Sequence, residues 1–201
     1  GLVAGSMGPV GAILKPYGPL EFEDVKATFA EQAKALAEGG VDLLIIETMF
    51  AVEETTAAFE GARSVTDLPI VVSFSYDRGT RTMMGVKPKD VMKRYSEMGA
   101  TLIGANCGTT LDNMEAVVKE YQTAKPDMPL WVKPNAGWPE QVSGRIMYPA
   151  DADYFGEYAV QFRQAGANIV GGCCGTTPQH IAVMKKALES TPATPVAEIS
   201  I

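Results

Sequence analysis

The chain has 201 residues, 46% of them hydrophobic and 20% charged, which is enough for one packed domain and too apolar for a disordered chain. Asp and Glu outnumber Lys and Arg by 24 to 17, a net charge of −7, and no basic run is present, which argues against nucleic acid as a partner. The longest apolar runs, such as 43–46, fall far below the ~20 residues of a membrane span, so a soluble protein with no membrane partner is expected.

Along the chain, short apolar runs alternate with longer amphipathic ones, the pattern of repeated βα units around a parallel sheet. A first strand is expected over 2–5. A helix follows with the stripe Phe22, Val25, Phe29, Ala33 and Leu36. Then come a strand over 42–48, a helix over 53–64, a strand over 69–75, a helix over 88–98 opened by Pro88, and a strand over 101–107. Met114, Val117, Val118 and Tyr121 mark the next helix, 130–135 a strand, Phe155, Tyr158 and Phe162 a helix, 168–174 the last strand, and Pro178 the start of a final helix. Asp112 and either Asp151 or Asp153 are candidate helix caps. Runs such as Leu43-Leu44-Ile45-Ile46 are apolar on both alternations, as in a strand covered on both faces. The segments 38–43, 97–102 and 164–169 repeat one unit, a helix end, a glycine, a small residue and a strand start, in which the glycine ends the helix in a left-handed conformation.

A doubly wound sheet and a (β/α)₈ barrel both accommodate this order. No glycine-rich nucleotide fingerprint is present, and Glu47, Asn106, Cys107, Asn135, Cys173 and Cys174 all fall at the C-terminal ends of expected strands, where a barrel gathers its site. The fold class expected is therefore an α/β, (β/α)₈ TIM barrel with six strands present and the first two βα units upstream of Gly1. Residues 1–190 are expected to form the barrel domain and 191–201 a tail or linker.

Only three cysteines occur, an odd number in a chain too large to need disulfides, which points to a reducing, cytoplasmic setting. Each lies beside or near glycine, in Gly104-Ala105-Asn106-Cys107-Gly108 and Gly171-Gly172-Cys173-Cys174-Gly175. Adjacent strand residues face opposite ways, so Cys173 and Cys174 can share a target only if the chain bends, which the glycines permit. Three thiolates around one divalent ion leave the fourth position of a tetrahedron open, the mark of a working zinc site. A thiol substrate taken there would lose its proton near neutral pH and become a nucleophile. The competing readings are a buried structural cysteine at 107 and a strained redox disulfide at 173–174.

Gly-Ala-Asn-Cys-Gly at 104–108, Lys-Pro-Asn-Ala-Gly at 133–137 and Gly-Gly-Cys-Cys-Gly-Thr at 171–176 resemble the homocysteine S-methyltransferase family, the zinc-dependent module also found in cobalamin-dependent methionine synthase. The resemblance runs from Val3 to about Leu188. It implies Zn²⁺ bound by Cys107, Cys173 and Cys174, methylation of homocysteine to methionine, and Glu47 holding the amino group of the substrate. A methylcobalamin or other corrinoid donor on a partner protein or cobalamin domain is implied as one possibility, beside S-methylmethionine and betaine. The family's opening Asp-Gly-Ala-type strand and the unit after it have no counterpart here.

Asn106 and Asn135 flank the same rim and are candidates to contact substrate or to orient a metal ligand through their amides. Ser73, Ser75 and Tyr76 end a strand, and the polar loop 77–82 that follows is expected to line the donor side of the mouth; Ser75 is a candidate substrate contact. Arg78 and Arg81 would attract an anionic donor there. The lone His180 reads as a capping or packing residue, which removes the raw material of Ser-His-Asp hydrolysis. A methyltransferase for another small thiol, and a non-catalytic zinc-holding module, are the alternatives to homocysteine methylation.

Overall fold

The computed structural model describes residues 1–125 and 127–192. Six parallel strands stand side by side in the order β1 (Ala4–Met7), β2 (Leu43–Met49), β3 (Ile70–Phe74), β4 (Leu102–Cys107), β5 (Leu130–Pro134) and β8 (Ile169–Val170). The helices between them are α1 (Phe22–Glu38), α2 (Val52–Arg63), α3 (Pro88–Glu97), α4 (Leu111–Ala124) and α5 (Ala152–Gln164), and α6 (Pro178–Glu189) closes the described chain. Strands follow one another in sequence order with helical crossovers, so the sheet is an arc of a (β/α) barrel, with β1 and β8 as its edges.

Alternation along the strands separates two apolar layers. Leu44, Ile46, Ile70, Val72, Ile103 and Val132 point outward and pack with Phe29, Phe59, Tyr95, Val117, Phe155 and Phe162 of the helices. Leu43, Ile45, Val71 and Leu102 point the other way and cluster with Trp131 and Ile169 on the concave face. The double-sided apolar runs in the sequence have this origin.

Helix boundaries agree with the periodicity. Gly40, Gly99 and Gly166 carry φ of 85, 86 and 116° and turn each helix into its strand. Asp151 caps α5 by accepting the Tyr154 N–H at 2.9 Å. His180 completes a capping box at α6: its Nδ1 accepts the Thr177 N–H at 3.2 Å and its Nε2 lies 3.0 Å from the Ala150 carbonyl.

Four expectations shift. The first strand begins at Ala4 rather than residue 2, because Val3 is clipped by Asp42, whose carboxylate takes the Val3 N–H at 2.6 Å. The last strand ends at Val170 rather than residue 174: after the two glycines the chain leaves strand geometry, although Cys173 N–H still reaches the Pro134 carbonyl at 2.8 Å. Thr110 rather than Asp112 caps α4, accepting the Asn113 N–H, while Asp112 accepts the Tyr158 hydroxyl. A hairpin, β6 (Glu140–Val142) and β7 (Arg145–Met147), was not expected; Ser143 and Gly144, both with positive φ, make its two-residue turn. Of the expected tail, residues 193–201 lie outside the described residues. No helix among the described residues is long and apolar enough to cross a membrane.

Candidate metal centre

The concave face changes character toward the C-terminal strand ends. Above the apolar cluster the same alternation presents Glu47 on β2, Ser73 on β3, Asn106 on β4 and Lys133 on β5, with Asn135 just past β5. The three cysteines converge here: their Sγ atoms all lie within 4.8 Å of one another, with Cys107 and Cys173 at 3.1 Å.

Two bends make the convergence possible. Cys107 follows the inward-facing Asn106 and would face outward in a regular strand, but its φ of 55° turns it into the left-handed region and re-aims the thiol. Past β8, Gly172 approaches Thr176 so closely that a Cβ would stand 2.5 Å from its hydroxyl, and Thr176 in turn donates to the Cys173 carbonyl at 2.8 Å. The turn this forms brings Cys173 and Cys174 to one spot.

Asn106, fully buried, organises the centre. Its Oδ1 accepts the Thr48 N–H at 2.8 Å and the Ser73 hydroxyl at 2.7 Å. Its Nδ2 donates to the Thr48 hydroxyl at 2.8 Å and points to the sulfurs of Cys107 at 3.4 Å and Cys173 at 3.9 Å. Thr48 itself sits at φ 63°, an uncommon conformation for a β-branched residue, where the register between β2 and β3 slips. Asn135 joins the two cysteine loops: its Oδ1 accepts the Cys174 N–H at 3.1 Å and its Nδ2 donates to the Gly108 carbonyl at 3.3 Å.

Electrostatics follow from this geometry. The Cys107 thiol is pushed far up, first by its hydrogen bond to Cys173 and then by burial. The S–H it donates holds the Cys173 thiol down, to about 5, and the Asn106 amide acts in the same direction. Sulfurs bound at ~2.3 Å to one tetrahedral ion stand ~3.8 Å apart, a spacing between the closest pair and the outer limit here. The half-buried Cys107 and Cys173 and the exposed Cys174 therefore fit a thiophilic ion with small adjustments, and Cys174 leaves the centre open on one side.

Glu47 lies in the same mouth, its side chain 16% exposed. Its Oε1 accepts the Ser6 hydroxyl at 2.6 Å and its Oε2 faces the Lys133 ammonium at 3.2 Å. Ser75 accepts the Gly108 N–H at 3.3 Å, beside Cys107. Tyr76 is not part of this mouth: it is fully buried, its hydroxyl 2.6 Å from that of Tyr121. Arg78 and Arg81 are exposed and close their own loop through a backbone pair. Lys133, Ser6 and Thr48 were not singled out from the sequence; Lys133 carried a signal, since it lies two residues before Asn135 on the same face of β5.

A family model described as homocysteine S-methyltransferase matches residues 1–188. The chain is 30% identical over 185 residues to methionine synthase of Mycobacterium leprae and 29% identical to that of Mycobacterium tuberculosis, over 89% of this chain and 15% of each relative. Crystal structures of the homocysteine methyltransferase MmuM from Escherichia coli superpose with a TM-score of 0.75 in the apo and metallated forms, at 29% and 28% identity, covering 92% of this chain and 62% and 60% of MmuM. The carboxyl transferase domain of Rhizobium etli pyruvate carboxylase, at 14% identity and a TM-score of 0.62, covers 96% of this chain and 32% of its own and shares the fold alone. The chain thus spans a small part of the methionine synthases and about three fifths of MmuM.

Proposed function

Because the chain belongs to the homocysteine S-methyltransferase family, we propose that it binds Zn²⁺ through Cys107, Cys173 and Cys174 and transfers a methyl group to the thiol of homocysteine, giving methionine. The observation that carries this reading is the convergence of all three cysteines of the chain within 4.8 Å. Zinc held by Cys107, Cys173 and Cys174 would lower the pKa of a substrate thiol and so make its sulfur a nucleophile at neutral pH.

The residues of the chain do the rest by position. Asn106 donates to the sulfurs and fixes them against β2 and β3, and at Cys173 this favours the thiolate. Asn135 and Ser75 hold the loops that carry Cys174 and Cys107. With both amides engaged by protein partners, Asn106 and Asn135 act on the ligands rather than on the substrate. Glu47 takes the substrate ammonium, which sets the distance of the thiol from the sulfur cluster. No side-chain base is required at the attacking sulfur, and proximity supplies much of the acceleration.

Since the chain spans only 15% of the methionine synthases it resembles, we propose a methyl donor, a corrinoid, carried on a partner protein or domain, with residues 1–190 as one barrel domain in a cytoplasmic setting. The test is methyl transfer from methylcobalamin to homocysteine by purified protein, before and after chelation. Activity should vanish on removal of zinc and return when zinc is restored; full turnover by rigorously zinc-free protein would contradict the reading.

A further inference from the structure

Lys133 takes no part in the sulfur chemistry, yet its ammonium is held in the mouth with care. Its stem runs beside Gly171 of the neighbouring chain segment, where a Cβ would come within 3.1 Å of the Lys133 Cγ, so the missing side chain leaves the lysine its path. From there it reaches across the concave face to Glu47, 86 residues away, at 3.2 Å. The strands concerned, β5 and β2, are not neighbours in the sheet.

The two side chains are 24% and 16% exposed, so both charges are largely withdrawn from water. As a stabilising device such a pair is poor, because desolvation offsets most of the attraction and apolar residues of similar volume do as well. As a receptor it has a defined complement. It presents one carboxylate and one ammonium side by side, with zero net charge, so it favours neither a simple cation nor a simple anion. An α-amino acid carries an ammonium and a carboxylate on one carbon and can set each against its opposite.

The pair and the sulfur cluster are joined through neighbouring residues at the same strand ends. Glu47 is followed by Thr48, which holds the Asn106 amide 3.4 Å from the Cys107 sulfur. Lys133 precedes by two residues Asn135, which holds the Cys174 loop. Homocysteine has two methylene groups between its charged carbon and its thiol, a spacer that links the two halves of the mouth. We infer that Lys133 binds the substrate carboxylate beside the Glu47 already proposed for the ammonium, so that the lysine makes the site prefer a thiol that carries a carboxylate. This inference rests on the homocysteine reading and deepens it.

The test compares three thiols in zinc-loaded protein by calorimetry: homocysteine, 3-aminopropanethiol, which lacks the carboxylate, and 4-mercaptobutanoate, which lacks the ammonium. The unaltered protein should bind homocysteine about 10- to 100-fold more tightly than either analogue, the range of one charge-assisted hydrogen bond. Lys133→Met should weaken homocysteine by that factor and leave 3-aminopropanethiol unchanged or tighter, since the ammonium no longer competes for Glu47. Lys133→Arg should restore part of the carboxylate preference. Equal weakening of homocysteine and 3-aminopropanethiol by Lys133→Met would assign the lysine to shaping Glu47 only and overturn the inference. Equal affinity of the unaltered protein for those two thiols would overturn it without any variant. Failure of the unaltered protein to bind homocysteine would instead remove the parent reading, and this one with it.

Discussion

The concave face of the sheet holds two levels that share strands but not rules. The lower level, Leu43, Ile45, Val71 and Leu102 with Trp131 and Ile169, is apolar volume in regular strand geometry. The upper level, two to five residues further along the same strands or just past their ends, is built of Glu47, Ser73, Asn106, Lys133 and the cysteines, each defined by a particular partner. Regular backbone also stops there, with Thr48 and Cys107 both in the left-handed region. The lower level sets stability and tolerates exchange of similar volumes; the upper level spends stability on fixed directions for donor atoms.

Substitutions can break this division in turn. Cys173→Ser should produce the largest effect, loss of stoichiometric zinc after dialysis and loss of methyl transfer, with urea unfolding of the metal-free protein close to that of the unaltered metal-free protein. Leu102→Ala should do the reverse: a cavity in the lower level costs about 2–5 kcal/mol in urea unfolding, while zinc bound per folded molecule stays the same. Asn106→Ala joins the levels, since it leaves the Thr48 N–H and the Ser73 hydroxyl without their acceptor. It should cost about 1–3 kcal/mol of stability and weaken zinc, read by competition with a chelator, about 10- to 100-fold. Asp151→Ala, at the N-terminus of α5 and outside both levels, should cost about 1 kcal/mol with no change in zinc affinity.

Most of the lower level was legible in the sequence because burial on both faces of a strand leaves a continuous apolar run, as in Leu43-Leu44-Ile45-Ile46. The glycines at 40, 99 and 166 announced their turns for the same kind of reason, a local backbone requirement. The cysteines stood out by rarity and by their glycine neighbours. What could not be read was set by contacts between distant segments. Lys133 and Glu47 meet across strands that are not adjacent, and Asn106 finds Thr48 and Ser73 through tertiary packing. Tyr76 follows β3 directly, yet nothing in its local sequence shows that its hydroxyl pairs with that of Tyr121 in the core. The hairpin at 140–147 was short and exposed, so it lacked the apolar alternation that marks a strand, and only Ser143-Gly144 signalled its turn.

The central claim is a three-sulfur metal centre that accepts one more sulfur from substrate. X-ray absorption at the zinc edge, recorded on zinc-loaded protein with and without homocysteine, tests it most directly. The account predicts zinc in a shell with three protein sulfurs that gains one further sulfur at ~2.3 Å when homocysteine is added. A sulfur shell unchanged by homocysteine, or zinc bound without the three cysteines, would contradict it.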